Sequence, residues 1–125
     1  MEYITKFRYT SLEDRRVQSV NIRNGISGRT PAIPVIIDRV KVTDPLIVKH
    51  KYIVPTDMGV HQFLTFFRSR NIETVDSSQA IFVFTGDNTL VAPNMLMSQL
   101  YALHHDKSDG FLYLKYALES TFGYL

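Results

Sequence analysis

Residues Phe111 to Tyr116 are aromatic or aliphatic at every position except Lys115. A run this short and this apolar fits a strand covered on at least one face and set near the middle of a sheet. Such a strand normally stops a chain. Here a short, mostly polar segment follows it, and Gly123 stands two residues before the end. Glycine has no Cβ, so it fits a narrow channel or a close backbone approach, and its carbonyl is the least hindered acyl group a protein presents. Exposed by cleavage, Gly123 would carry an activatable carboxylate. Because chain ends commonly lie outside the packed structure, the meaning of this glycine rests on its company in the sequence.

A chain of 125 residues, 45% hydrophobic and 21% charged, has the length for one globular unit around a single core. No apolar run approaches the ~20 residues of a membrane-spanning helix, and no basic, apolar, small-residue opening marks a signal peptide. Both point to a cytoplasmic protein. Cysteine is absent, which removes disulfides, thiolate zinc sites and a thiol nucleophile from consideration. The net charge of +2 is too small to call for nucleic acid. Within the first thirty positions, however, Lys6, Arg8, Arg15, Arg16, Arg23 and Arg29 outnumber Glu2, Glu13 and Asp14. That excess fits either a solvated helix face or a patch for acidic partners or anionic lipid.

Taken in order, Tyr3 to Tyr9 mixes aromatic and basic residues without a clear period. Ser11, with Glu13 and Asp14 behind it, reads as an N-cap and acidic first turn of a helix over Leu12 to Arg23. Val17 and Val20, with Leu12 or Ile22, supply its apolar side, and Asn24-Gly25 is a stop signal. Gly25 to Arg29 lacks the glycine spacing and the lysine of a phosphate-binding loop and is read as a plain loop. Strands follow at Ile33 to Val40 and Val48 to Val54, separated by a turn region at Thr43-Asp44-Pro45. Lys49 and Lys51 on alternate positions, with Pro55 at the end, mark an exposed edge strand protected against aggregation.

Thr56 or Asp57 then caps a helix on which Val60, Phe63, Leu64 and Phe67 follow the i, i+3, i+4, i+7 rule. Ala80 to Thr85 is a further strand, and Gly86-Asp87-Asn88 turns into a short one at Thr89 to Val91. Pro93-Asn94 opens a last helix ending near His104. His104, His105 and Asp106 form the one cluster with metal or acid-base potential. Adjacent histidines on a helix diverge by about 100°, so a solvated helix end is the better account. The order of elements is helix, helix, strand, strand, helix, strand, short strand, helix, strand, which is α+β.

With Ile33-Pro34-Val35-Ile36-Ile37, Lys51-Tyr52-Ile53-Val54-Pro55, Ala80 to Phe84, Phe111-Leu112-Tyr113 and Thr121-Phe122-Gly123, the chain closely resembles the autophagy ubiquitin-like modifiers, the GABARAP-like or autophagy-related protein eight family. The resemblance runs from about Leu12 to the end, in order and with similar spacing. It implies a ubiquitin-like β-grasp, a four-stranded mixed sheet plus helices, with the first and last long strands side by side and two additional N-terminal helices. The implied layout is a helical extension over residues 1–31, a β-grasp core over 32–117 and a flexible tail over 118–125.

The same resemblance implies a substrate of conjugation with no active site, metal or cofactor of its own. A cysteine protease cuts after Gly123, behind Phe122 and before Tyr124. Adenylating and conjugating enzymes then join Gly123 to phosphatidylethanolamine, taking the protein from the cytoplasm to the autophagosome membrane. Receptors with aromatic-x-x-aliphatic motifs add to the exposed edge strand, with Tyr52 and Ile53 supplying that edge. The aromatic side chain enters a pocket of Gln18, Ile22, Pro34, Lys51 and Phe111. The aliphatic one enters a pocket of Tyr52, Val54, Pro55, Met58, Phe63 and Phe66, with Arg68 and Arg70 meeting acidic residues of the motif. Gln18 stands where many relatives have an acidic residue, Ala32 where many have arginine, and the Gly25 to Pro31 loop is longer than in most. These departures imply a weakened dependence on acidic residues flanking the motif. A non-conjugated scaffold using the same groove is the alternative reading.

Overall fold

Two strands from distant parts of the sequence lie side by side at the centre of one sheet. A computed structural model describes residues 2–26, 28–71 and 80–118. Its elements are α1 (Glu2–Arg8), α2 (Leu12–Asn24), β1 (Ala32–Arg39), β2 (Lys51–Pro55), α3 (Val60–Asn71), β3 (Ile81–Thr85), α4 (Met97–His104) and β4 (Leu112–Leu118). The strand order is β2-β1-β4-β3. β1 pairs with β4 in parallel, from Val35 opposite Leu112 to Arg39 opposite Tyr116, while β2 and β3 pair antiparallel on the outside. The first and last strands are therefore neighbours, as the β-grasp expectation requires. Both are buried along nearly their whole length, because helices cover the sheet from two sides.

Alternation along β1 sorts the core. Ile33, Val35 and Ile37 face α3 and α4 together with Tyr52, Val54, Phe63, Phe67, Leu100, Leu112, Leu114 and Tyr116. Ile36 faces the N-terminal helices with Ile4, Phe111 and Tyr113, against which Tyr3, Phe7 and Ile22 pack. The buried Asp38 carboxylate accepts the N–H groups of Tyr3 at 2.8 Å and Ile4 at 3.2 Å, which fixes α1 on the second face.

α2 is capped as its sequence indicates, with Ser11 Oγ accepting the Asp14 N–H at 3.1 Å. Its orientation differs from the expectation. Val17 and Val20 are each 52% exposed, while Ser19 is buried, and the inward stripe is Arg15, Gln18, Ser19 and Ile22. That face docks by polar bonds. Ser19 Oγ donates to the Asp109 carbonyl at 2.5 Å, Arg15 to the Asp109 carboxylate at 2.7 Å and Arg16 to the Ser108 carbonyl at 2.6 Å. Gly25 closes the helix at φ +68°, where a Cβ would stand 2.3 Å from the Arg29 carbonyl oxygen. Only glycine fits that position.

Much of the N-terminal basic cluster is consumed in this docking. Besides Arg15 and Arg16, Arg8 pairs with Asp106 at 3.2 Å and stacks on Tyr113, and the Arg23 guanidinium lies over the Tyr101 ring. Burial alone would push the Asp106 carboxyl up, but bonds from the Ser108 amide, Arg8 and the Asp109 amide hold it below the usual carboxylate value of 3.8. A carboxyl lowered in the folded state stabilises the fold above its unfolded pKa, and that contribution fades as the pH falls through the folded value. Asp106→Asn is therefore expected to flatten the acid limb of a stability-versus-pH curve below about pH 4, checked by urea unfolding between pH 2 and 7.

Four element assignments depart from the sequence reading. Neither Thr56 nor Asp57 caps α3, which starts at Val60 behind Gly59, whose N–H donates to Gln62 Oε1 at 2.9 Å. Residues from Pro93 to Leu96 are not helical, because their carbonyls are drawn to the front of α3. Val60 N–H donates to Met95 O and His61 N–H to Pro93 O, with a bridge between Gly59 and Leu96. Thr89 to Val91 forms one bridge, Leu90 with Phe84, rather than a strand. β2 also starts at Lys51, three residues later than read.

Candidate functional site: an open strand edge between two pockets

β2 is an edge strand, and its register settles which backbone groups face outward. Ile37 N–H donates to His50 O at 2.9 Å, so antiparallel alternation makes Val35–Tyr52 and Ile33–Val54 the hydrogen-bonded pairs. Lys51 and Ile53 then turn their N–H and C=O away from β1, where no strand of the described residues pairs with them. Pro34 falls opposite Ile53 in a non-bonded pair, so its missing N–H costs the ladder nothing. The edge is thus supplied by Lys51 and Ile53. Tyr52 points its backbone at β1 and contributes its ring.

The residues expected for the aliphatic pocket converge. Tyr52, Ile53, Val54, Pro55, Met58, Phe63 and Phe66 line one depression of about 250 Å³ on the α3 face of the sheet. Tyr52 meets Phe63 and Phe66 edge-on, with centroids 5.5 and 6.3 Å away. Asn71 Nδ2 donates to the Tyr52 hydroxyl, and burial raises that phenol's pKa above its ordinary value. Phe63 is 1% exposed and Phe66 39%; the first is floor and core, the second is rim. The Arg70 guanidinium lies 5.1 Å over the Phe66 ring, placing a cation at this rim. Arg68 goes elsewhere: it lines a separate depression with His61, Leu64, Thr65, Ile81 and Pro93 on the other flank of α3.

The aromatic-pocket residues gather on the opposite face of the sheet. Lys51 lies across from Ile36 and Ile53 across from Pro34, on the side covered by α2. Lys51 Nζ donates to Gln18 Oε1 at 2.5 Å and sits 5.8 Å from the centroid of the fully buried Phe111 ring. Burial lowers the Lys51 pKa, the mark of an ammonium with part of its water removed. The Lys51–Gln18 bond bridges β2 and α2 in place of an ion pair. The neutral partner leaves the cation's charge uncompensated.

A cavity on this face joins Ile22 and Ile53 to residues that the sequence reading did not assign to the groove. Asn21, Ile22, Gly25, Ile26, Arg29, Thr30 and Ile53 enclose about 320 Å³ between the end of α2, the following loop and β2. The only sign of it in the sequence is the extra length of the Gly25 to Pro31 loop. The histidines stay apart in function: His105 stacks on Tyr101 with centroids 4.5 Å apart, and His104 approaches Asp87 at 3.4 Å. Among the described residues no three His, Cys, Asp or Glu side chains are grouped to hold a metal. Phe122, Gly123 and Tyr124 lie outside the described residues.

Comparison with known proteins agrees with the fold. Residues 14–123 match the family described as "Autophagy protein Atg8 ubiquitin like". Autophagy-related protein 8 of Candida glabrata is 42% identical over 113 residues, 90% of each chain. Autophagy-related protein 8A of Oryza sativa subsp. indica is 44% identical over 113 residues, 90% of this chain and 89% of that one. Among solved structures, Trypanosoma brucei ATG8 superposes with a TM-score of 0.72 at 28% identity, covering 91% of this chain and 94% of the other. Plasmodium falciparum Atg8 in complex with an Atg3 peptide gives 0.70 at 28% identity, covering 87% and 91%.

Proposed function

The chain belongs to the Atg8 family of ubiquitin-like autophagy proteins, and from that premise we propose that it is a conjugated modifier whose open β2 edge recruits partners. The observation that carries the groove is an unpaired strand with an apolar pocket on its α3 side and, on its α2 side, a cavity beside Ile22 and Ile53. An extended segment adding to β2 would exchange main-chain hydrogen bonds with Lys51 and Ile53, while its aromatic and aliphatic side chains fill the pockets. Receptors with aromatic-x-x-aliphatic motifs fit that description, as does a conjugating enzyme; the relative solved with an Atg3 peptide supports the latter.

The family match ends at residue 123, which supports cleavage of the Gly123–Tyr124 bond by a cysteine protease. An adenylating enzyme would then let the Gly123 carboxylate attack the α-phosphorus of ATP, forming the acyl adenylate and releasing pyrophosphate. A partner thiolate displaces AMP to form a thioester, and the phosphatidylethanolamine amine displaces the thiol to leave an amide. The chain holds no cysteine, so each thiol belongs to a partner. Two acyl chains, at ~0.8 kcal/mol for each buried CH₂, anchor stably where one is marginal. The chain itself acts as the substrate, passing from cytoplasm to autophagosome membrane.

Two measurements test this reading. Intact mass of the protein from its native source is expected to show a chain ending at Gly123 and a form heavier by one phosphatidylethanolamine; a chain found only at full length would favour an unconjugated scaffold. For the groove, an aromatic-x-x-aliphatic peptide is expected to bind and to lose all measurable affinity when either anchor becomes alanine. Neutralising its flanking acidic residues is expected to cost only about threefold, the worth of one exposed charge pair. A loss of a hundredfold on neutralisation would show that charge, and not the pockets, carries recognition.

A further inference from the structure

One end of the molecule exposes aliphatic side chains that no packing explains. The loop from Val40 to His50 joins β1 to β2, and within it Ile47 is buried while Val42, Leu46 and Val48 are 75%, 66% and 92% exposed. Tyr9, 86% exposed, shares a shallow depression with Val42 and Lys6. Single exposed aliphatics are ordinary, but several at one end of a small protein mark a contact surface. Lys6, Lys41 and Lys49 are exposed among them. Among the described residues, Asp44 is buried and accepts the Lys41 and Leu118 amides, and Glu2 pairs with Arg39 at 3.0 Å.

This end is also where β4 finishes. Val40 N–H donates to Tyr116 O, the Tyr116 hydroxyl donates to Pro45 O, and Leu118 N–H donates to Asp44 Oδ1 at 3.3 Å. Leu118 is the last described residue, and Gly123 follows it by five positions. Five residues span at most about 18 Å, so a bilayer joined to Gly123 cannot be far from this loop.

We propose that the end of the protein bearing Val42, Leu46 and Val48 docks on the anionic bilayer to which the tail is anchored. The aliphatic side chains enter the headgroup boundary while Lys6 and Lys49 meet lipid phosphates. Docking there stands the sheet on end and leaves the β2 edge open to partners. The inference rests on attachment at Gly123, so its test supplies the attachment chemically.

The sequence contains neither cysteine nor tryptophan, so both probes can be placed singly. A trimmed chain carrying Gly123→Cys is coupled to maleimide-phosphatidylethanolamine in phosphatidylcholine–phosphatidylserine vesicles with brominated tails. One version carries Val48→Trp. The other carries Leu103→Trp on α4, 69% exposed and beside the start of β4, at the sheet's far end. Bromine quenching is expected to be at least about threefold stronger at position 48, consistent with burial ~5–10 Å into the boundary. Adding Val42→Asp and Leu46→Asp is expected to abolish the difference. Equal quenching at the two positions, or quenching at 48 indifferent to the aspartates, overturns the proposal. A blue shift at 48 without bromine quenching also overturns it and points to a second copy of the chain as occupant. Because no conjugating enzyme is used, failure of enzymatic lipidation leaves this result interpretable.

Discussion

A Phe63→Ala chain unfolds about 3–5 kcal/mol more easily than the wild type, and Phe66→Ala, one helical turn on, costs about 1 kcal/mol or less. Both rings line the aliphatic pocket, but Phe63 is 1% exposed and Phe66 39%. Phe63 also stacks on Phe67 at 6.3 Å and meets Tyr52 edge-on at 5.5 Å. Its removal opens a cavity between α3 and the sheet that rigid neighbours cannot fill. Urea unfolding of the two variants, set beside peptide affinity, separates core from site. Phe66→Ala is expected to keep its fold and weaken the aliphatic anchor. Equal unfolding free energies for the two variants would mean that the floor and rim assignments are mistaken.

The second large effect is expected where α2 docks on the loop before β4. Asp109→Ala is expected to cost about 3–5 kcal/mol, because it leaves a buried guanidinium without its carboxylate. The Asp109 side chain is buried and accepts from Arg15 at 2.7 Å, from the Tyr113 hydroxyl at 2.5 Å and from the Phe111 amide at 2.9 Å. The Tyr113 hydroxyl keeps its proton well above the ordinary tyrosine range, first through burial and then through Asp109. Thermal melts are expected to drop by roughly 10–20 °C. Pairing Asp109→Leu with Arg15→Met should recover much of that loss, since an apolar pair leaves no orphan charge. If the double substitution is as damaging as the single one, the network does not hold α2 in the way described.

The parts of the fold that could be read directly were those where burial and local pattern agree. Ile33 to Ile37, and Phe111 to Tyr116 but for Lys115, are apolar because both central strands are covered on both faces. The α3 stripe of Val60, Phe63 and Phe67 is buried as its spacing demands. α2 failed that rule for a physical reason. Its inward face is made of Arg15, Gln18 and Ser19, which bond to the loop before β4 and to Lys51, so polar partners far along the chain decide its rotation. Residues Pro93 to Leu96 failed likewise, since pairing with the front of α3 outweighs a local helix signal.

The site was legible in a different sense. Its residues came from resemblance to a family, and no periodicity distinguishes Phe66 from an ordinary half-buried helix residue. What the coordinates add is grouping: the aliphatic-pocket positions share one depression, while Arg68 sits on another flank. The cavity under Arg29 depends on where a loop of added length folds back over Gly25, and loop paths have no sequence period to read.

The two pockets flank β2 on opposite sides of the sheet, and a strand alternates its side chains with every residue. On the proposed function, ligand choice is therefore a matter of parity before it is one of chemistry. Anchors an odd number of residues apart reach both hollows, whereas anchors an even number apart both turn to one side and leave the other hollow vacant, however well suited each side chain is. On that reading the groove turns away a peptide whose anchors have even spacing, however hydrophobic it is.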